Sequence, residues 1–168
     1  MKILMIPIAA ILLILGCTSS PRKDVAADKE ISVKESKSIV YAGLYSYGLG
    51  ADKGPSGNIT VFPKNDSTLL FAIDLSVGPP SYNMGALFDT LKVKDNRAIY
   101  AKKMDDGDTG CKWQVDFYGD SLTIKTLDNA YDCGFGGNVF ADGTYKVVNH
   151  DVPAFYTTLI GDTVYFDK

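Results

Sequence analysis

The three cysteines are the residues of this chain whose chemistry is most informative. Cys17 directly follows an apolar leader, where its thiol could be acylated. Cys111 and Cys133 lie in the later part of the chain, where two thiols could be oxidised to a disulfide. Both outcomes depend on export, since a disulfide persists only outside the reducing cytoplasm. The segment before Cys17 therefore decides how the other two cysteines are interpreted.

The N-terminal segment has the order of an export signal. A basic start at Met1-Lys2 precedes an apolar run from Ile3 to Leu15. The run is shorter than the roughly 20 residues that a membrane-spanning helix needs. We therefore interpret residues 1–16 as a cleaved signal peptide. The alternative is an ordinary secretory signal that happens to end beside a cysteine.

Residues 13–17, Leu-Ile-Leu-Gly-Cys, resemble the lipobox of bacterial lipoproteins. That resemblance implies diacylation of the Cys17 thiol with chains such as palmitate, cleavage before Cys17, and acylation of the new N-terminus. Each buried methylene contributes about 0.8 kcal/mol, so several acyl chains anchor a protein stably where one does not. The sequence therefore predicts a protein held in the membrane by an N-terminal lipid.

The residues after Cys17 bear on which membrane holds the lipid. In enterobacterial lipoproteins an Asp after the lipidated cysteine acts as an inner-membrane retention signal, and this chain has Thr18 there. Residues 22–24, Arg-Lys-Asp, resemble in part an export signal of some Gram-negative groups. These features favour the outer membrane of a Gram-negative bacterium and leave the choice of leaflet open.

Charge and composition divide the rest of the chain. Lys and Arg number 17 against 20 Asp and Glu, which gives no electrostatic case for binding nucleic acid. Residues 18–38 are polar and nearly lack aromatic side chains, so they cannot bury enough apolar surface to offset their ordering entropy. We interpret residues 17–38 as a lipidated cysteine with a flexible tether, and residues 39–168 as a single β domain.

Period-two alternation of apolar side chains predicts a series of short strands. It is clearest at Thr68–Val77, where Leu69, Phe71, Ile73 and Leu75 share one face. The same criterion predicts strands at Ile39–Tyr47, Asn58–Pro63, Met84–Lys94, Arg97–Lys102, Cys111–Tyr118, Ser121–Leu127 and Gly143–Val148, and a final hairpin of Phe155–Leu159 and Thr163–Asp167. Between the first two strands, Ala51–Gly57 is expected to form a loop.

Short turns between sequential strands predict antiparallel pairing and an all-β fold. Because each strand has one apolar face, the sheet must either close on itself or stack on a second sheet. Closure removes exposed strand edges, so a small antiparallel meander barrel of about eight strands is favoured. A two-sheet β-sandwich is the alternative.

The two cysteines outside the leader are expected to form a disulfide. Cys111 is in phase with Trp113 and Val115 and therefore faces the predicted core. With Cys17 used by lipid, one candidate partner remains, Cys133. A bridge closing a loop of about 22 residues contributes about 3 kcal/mol. Two separate buried thiols are the alternative.

Residues 133–136, Cys-Gly-Phe-Gly, are followed at 142–146 by Asp-Gly-Thr-Tyr-Lys. This pairing resembles a stretch found in small uncharacterised bacterial envelope lipoproteins, some of which are described as lysozyme-inhibitor-like and carry an earlier partner cysteine. The likeness covers this stretch and the strand around Trp113. The full motif of the C-type lysozyme inhibitor families is absent, so the resemblance assigns no inhibitory residue.

Catalytic and metal-binding patterns are weak. The acidic run at 105–108 offers oxygen ligands, but its spacing differs from a calcium-binding EF-hand loop and suits a solvated hairpin loop. His150 is the only histidine, and no serine lies in a nucleophile-elbow pattern. We therefore predict no catalytic residue, no metal site and no cofactor.

The most distinctive candidate binding feature is the stiff loop at 78–85. It presents Tyr82 and Asn83, and together with Tyr47 and the 51–57 loop it could rim a barrel mouth. Pro and Gly also occur in ordinary β connections, which is the alternative. The sequence thus favours a non-catalytic, lipid-anchored binding module for a protein or a small ligand. A structural envelope component, or an inhibitor of a host hydrolase such as lysozyme, is the alternative function, and a hydrolase is least supported.

Overall fold

The computed structural model describes residues 40–105, 107–158 and 161–166. The predicted signal peptide at 1–16, Cys17 and the tether at 18–38 lie outside these residues. No helix in the described ranges is long and apolar enough to cross a membrane. The strands are β1 (Gly43–Tyr47), β2 (Ser56–Pro63), β3 (Thr68–Ser76), β4 (Met84–Lys94), β5 (Arg97–Lys103), β6 (Thr109–Tyr118), β7 (Ser121–Asp128), β8 (Gly143–Asn149), β9 (Phe155–Thr157) and β10 (Thr163–Tyr165).

Strands β1 to β8 form a closed antiparallel barrel in chain order. Each strand pairs with the next along the chain, and β8 returns to pair with β1 through Tyr45 and Val147. The first and last strands of the meander are therefore hydrogen-bonded to each other, which closes the sheet on itself. The prediction of a meander barrel is confirmed, and the sandwich alternative is not formed.

Large side chains fill the interior of the barrel. The residues predicted to face inward from β3 and β6 are all buried: Leu69, Phe71, Ile73, Leu75, Trp113, Val115 and Phe117. Two buried tyrosines satisfy their hydroxyls locally, since Tyr45 donates to Tyr41 O at 2.9 Å and Tyr145 to Ala141 O at 2.8 Å. Burial raises the pKa of Tyr45 to about 12. The interior is a packed core of side chains.

The C-terminal hairpin β9–β10 lies outside the barrel as a separate two-stranded sheet. It packs on the outer face of β2–β4, where Phe166 stacks on Phe62 with ring centroids 4.7 Å apart and Tyr156 stacks on Phe88 at 5.1 Å. This cover explains why Phe62 and Ala72 are buried although alternation turns them away from the core. The predicted hairpin is present and serves as an outer cover.

Several predicted strand boundaries differ from the structure. The first strand begins at Gly43, because Val40 is exposed and precedes the paired region. Strand β2 starts inside the predicted 51–57 loop, since Gly57 already pairs with Tyr47 and Leu75. A Cβ at Gly57 would lie 2.6 Å from both of those side chains, so glycine permits this close pairing.

The hairpin strands are shorter than predicted. They end at Thr157 and Tyr165, whereas the sequence pattern extended them to Leu159 and Asp167. Leu159 and Asp167 lie outside the described residues, and so does Ile39, the predicted start of the first strand.

Candidate functional site

The connections at one end of the barrel are longer than those at the other end. We define the proximal end as the one where the chain enters, at residues 40–42, and the distal end as the opposite one. The proximal turns lie at 64–67, 95–96 and 119–120. The distal connections, which we name the distal loops, lie at 48–55, 77–83, 104–108 and 129–142. Long loops on a rigid β scaffold are the usual place for binding residues.

Three of the four distal loops are joined to one another. A Cβ at Gly78 would lie 2.6 Å from Gly54 Cα, so the 48–55 and 77–83 loops meet through two glycines. The side chain of Asn83 then donates from Nδ2 to Gly137 O at 2.8 Å, which ties the 77–83 loop to the 129–142 loop. These contacts make the three loops one surface.

The 129–142 loop fills an opening in the barrel wall. Strands β4 and β5 pair only next to their proximal turn, at Val93–Ala98 and Lys94–Arg97, so their distal halves are not paired. The Phe135 ring sits against Gly85 of β4, where a Cβ would lie 2.5 Å from the ring. On the core side it lies 6.0 Å from the Trp113 ring, centroid to centroid. Phe135 is therefore the plug of this opening, which lies at the distal mouth of the barrel.

The disulfide holds this plug in place. The sulfur atoms of Cys111 and Cys133 lie at bonding distance, and their Cα atoms are 4.9 Å apart, within the range for a bridge. Lys102 of β5 donates from Nζ to Cys133 O at 2.9 Å, and Gly136 N donates to Met84 O of β4 at 2.9 Å. The predicted disulfide is confirmed, and the loop it holds contacts both sides of the opening.

The structure places the three predicted binding residues at the distal end but gives them different roles. Tyr47 packs edge-on against Tyr145, with ring centroids 4.9 Å apart, and burial raises its pKa. Asn83 is used in the bond to Gly137. Tyr82 alone is free to contact a partner, because 52% of it is exposed. Tyr47 lines the cleft beside the 48–55 loop, and neither Tyr82 nor Asn83 lines that cleft.

Tyr82 has an unusual backbone conformation. Its φ is 52°, in the left-handed region that glycine and asparagine favour and bulky side chains avoid. The loop enforces this conformation through two hydrogen bonds, from Tyr82 N to Gly78 O at 2.8 Å and from Val77 N to Asn83 O at 3.1 Å. Such a conformation costs about 1–3 kcal/mol in a non-glycine residue and persists where the surrounding structure fixes it.

Two further exposed side chains of the distal loops escaped the sequence analysis. Leu49 is 82% exposed and Tyr131 is 79% exposed. The Tyr131 ring lies edge-on to the Phe140 ring, with centroids 5.4 Å apart, and this contact orients it. For Tyr131, the sequence signal was an aromatic residue within a polar stretch, which does not distinguish an exposed ring from a buried one. For Leu49, a lone apolar residue between two glycines carried no such signal.

The distal loops are acidic. They contain six aspartates and one lysine, Lys53. Asp108 and Asp132 line an open cleft of about 530 Å³ between the 104–108 and 129–142 loops. Among the described residues, no group of three or more His, Cys, Asp or Glu side chains is arranged to hold a metal ion. Lys102 and Lys103 end β5 beside these loops, so the acidic character belongs to the loops themselves. The loop aspartates suit basic groups on a partner.

His150 lies at the proximal end, far from the distal loops along the strands. Its Nδ1 is 3.3 Å from Ala42 O and its Nε2 is 3.2 Å from Gly119 O. The ring thus bridges the chain start of the barrel and the β6–β7 turn. This placement makes His150 a structural tie between two proximal segments.

Comparison with known proteins gives no relative for this chain: no family model, no curated protein and no solved structure matches it.

Proposed function

We propose that this chain is a lipid-anchored envelope protein whose distal loops bind a protein partner without catalysing a reaction. The anchor is acylated Cys17, and the location is the outer membrane of a Gram-negative bacterium. The pattern at 13–17 supports this part of the proposal. The described chain enters the barrel at its proximal end, so the distal loops lie at the opposite end of the barrel from residue 40.

One observation carries the proposal for binding: Tyr82 is exposed and held in a left-handed conformation. A glycine at this position would remove the conformational cost, and an exposed tyrosine adds little to the stability of the folded chain. The combination is explained when the aromatic ring contacts a partner, since tyrosine is a frequent anchor in protein interfaces. Tyr131 and Leu49 add exposed apolar area at the same end.

The acidic distal loops also favour a narrower candidate. An inhibitor of a host hydrolase such as lysozyme would be one form of such a binding module, and the motif at 133–146 resembles a stretch of proteins with that description. Six aspartates against one lysine complement a hydrolase with a basic surface. A structural envelope component without a tight ligand is the remaining alternative, and the Tyr82 conformation gives it no support.

The binding proposal is tested by replacing distal tyrosines and measuring the partner. The lipidated protein is purified from native envelopes, and co-purifying proteins are quantified for the wild type, for Tyr82→Ala/Tyr131→Ala and for Tyr118→Ala. Tyr118 is 57% exposed at the proximal end and is the matched control. A partner lost at least tenfold in the distal variant and retained in the control supports the proposal. Equal recovery in all three would contradict it.

The anchor is tested separately. The mature N-terminal peptide of the wild type should begin at Cys17 and carry the mass of acyl chains, and Cys17→Ala should release the protein from the membrane fraction. A mature peptide without acyl mass would contradict the lipid anchor. It would leave the distal binding proposal intact, so the two parts can fail independently.

A further inference from the structure

Asp74 on β3 is a carboxylate with no hydrogen-bond or ion-pair partner among the residues that the structure describes. Its neighbours Ile73 and Leu75 are buried in the barrel, so strand alternation turns Asp74 to the outer face. Within the described ranges it forms neither a hydrogen bond nor an ion pair, and desolvation by burial raises its pKa. A charged carboxylate in this position destabilises the fold unless a cation reaches it.

Polar side chains continue across the neighbouring strands at the level of Asp74. The strand register pairs Asp74 with Asn58 of β2, and Asn58 with Ser46 of β1. Directly opposite residues of antiparallel strands project to the same side of the sheet. A second polar pair, Ser56 and Ser76, follows on the same face toward the distal end. The outer wall of β1–β3 thus presents a carboxylate, an amide and three hydroxyls together.

Two adjoining surface clefts contain Asp74. The cleft nearer the distal end, which we name the upper cleft, has a volume of about 310 Å³. It is lined by Ser46, Tyr47 and Asn58 beside the 48–55 loop. The lower cleft, about 130 Å³, lies under the C-terminal hairpin, where Phe88 and Tyr156 form an aromatic wall. A volume near 300 Å³ is at the lower limit of small-molecule sites.

We propose that the upper cleft binds a small ligand that carries a protonated amine and hydroxyl groups, with Asp74 as the counter-ion of the amine. The carboxylate accepts charge-assisted hydrogen bonds from the ammonium group. Ser46 and Asn58 exchange hydrogen bonds with the ligand hydroxyls. The aromatic wall contributes a favourable cation–π term for an ammonium that reaches the lower cleft. Amino sugars are a class with this chemistry.

This site adjoins the proposed protein-binding surface, because the 48–55 loop lines one side of the cleft. Its polar groups lie on the side wall of the barrel, and it uses neither the lipid anchor nor Tyr82 or Tyr131. Because the ligand class is defined by one carboxylate and neighbouring polar groups, the essential feature to test is the positive charge of the ligand.

The test compares two sugars that differ in one group. D-Glucosamine carries an amine where D-glucose carries a hydroxyl, and both are titrated into the isotopically labelled full-length protein while backbone amide shifts are followed by NMR. The expected result is saturable shifts with glucosamine at residues 46–48, 57–58 and 74–76, and no saturation with glucose. No response to glucosamine, or equal responses to both sugars, would overturn the proposal.

Two substitutions locate the contact. Asp74→Asn should weaken glucosamine binding at least tenfold, because it removes the charge and keeps the shape. Asp66→Asn, in an exposed proximal turn, makes the same change in net charge and should leave binding unchanged. Asn58→Ala is a second probe of the cleft and should weaken binding severalfold. Unchanged affinity in Asp74→Asn, or equal losses in Asp74→Asn and Asp66→Asn, would reject Asp74 as the counter-ion.

Discussion

The distal and proximal ends of this barrel differ in how they connect successive strands. The proximal end uses tight turns, such as Asp95-Asn96, whose φ values of 51° and 64° suit a two-residue hairpin turn. The distal end uses long loops that hold one another through Gly54–Gly78, Asn83–Gly137 and a disulfide. A tight turn only reverses the chain direction, whereas long loops that contact one another form a continuous surface. The difference indicates that the distal loops have a role beyond connecting the strands.

The largest expected effect comes from removing the disulfide. Cys111→Ala/Cys133→Ala should lower the free energy of unfolding by about 3 kcal/mol, since the bridge constrains a loop of about 22 residues in the unfolded chain. Denaturant unfolding measures the loss. Hydrogen exchange should increase in residues 129–138 and remain unchanged in the proximal turns. An equal increase in exchange at both ends would contradict the view that the disulfide stabilises the distal loops specifically.

Phe135→Ala tests whether the plug stabilises the distal mouth. The ring is half-buried against Gly85 and Trp113, so its removal should cost about 2 kcal/mol, less than for a fully buried phenylalanine. Denaturant unfolding measures the change. Phe155→Ala, which removes a half-exposed ring from the outer hairpin, is the control and should cost less. A smaller loss for Phe135→Ala than for the control would show that the opening between β4 and β5 is closed by other means.

The sequence predicted the scaffold well and the plug poorly. Alternation on β3 and β6 identified the inward side chains, because a strand with one buried face has a period of two. The pairing of Cys111 with Cys133 was predicted because Cys111 shares the core-facing phase of Trp113 and because the leader predicts export to an oxidising compartment. The opening between β4 and β5 depends on where two strands separate, and Phe135 fills it from a loop distant in sequence. No local pattern carries that information.

The candidate site shows the same limit. Tyr82, Asn83 and Tyr47 were grouped because turn residues and aromatics cluster there, and all three do lie at the distal end. Their individual roles depend on tertiary contacts. The Asn83 side chain donates a hydrogen bond to Gly137 O, and the Tyr47 ring packs against the Tyr145 ring. The half-burial of Asp74 likewise depends on a hairpin that packs from outside the barrel.

At the proximal end, Asn96→Ala should cost about 1 kcal/mol, because alanine is disfavoured at a positive φ. The change also removes the bond from Tyr41 Oη to Asn96 Oδ1, which is 2.7 Å long. Asn96→Gly keeps the backbone conformation and serves as the control for the side-chain bond. Thermal unfolding of both variants separates the two contributions. If Asn96→Ala lowered the free energy of unfolding by more than the disulfide and Phe135 variants do, the proximal turns would contribute more stability than the distal loops, contrary to this comparison.

The smallest expected effect is a gain in stability, from replacing Asp74. The folded-state pKa of Asp74 is raised by burial, so the folded chain favours the protonated form, and charging Asp74 reduces stability as the pH rises through that pKa. Tyr156 faces it from the hairpin and remains neutral through this range, because burial and the charge of Asp74 raise the pKa of Tyr156. Asp74→Asn should therefore raise the melting temperature slightly at neutral pH, and the gain should vanish at acidic pH below the ordinary carboxyl pKa. A lower melting temperature at neutral pH would contradict the assignment of Asp74 as unpaired.

The central claim is that the distal loops form the surface that meets a partner. Its most direct test places the same photoreactive phenylalanine analogue at Tyr82, Tyr131 or Tyr118 of the lipidated protein and irradiates cells that carry it. We expect a discrete crosslinked species from the two distal positions and none from Tyr118 at the proximal end. A crosslink from Tyr118 alone, or no crosslink from any position, would contradict the account.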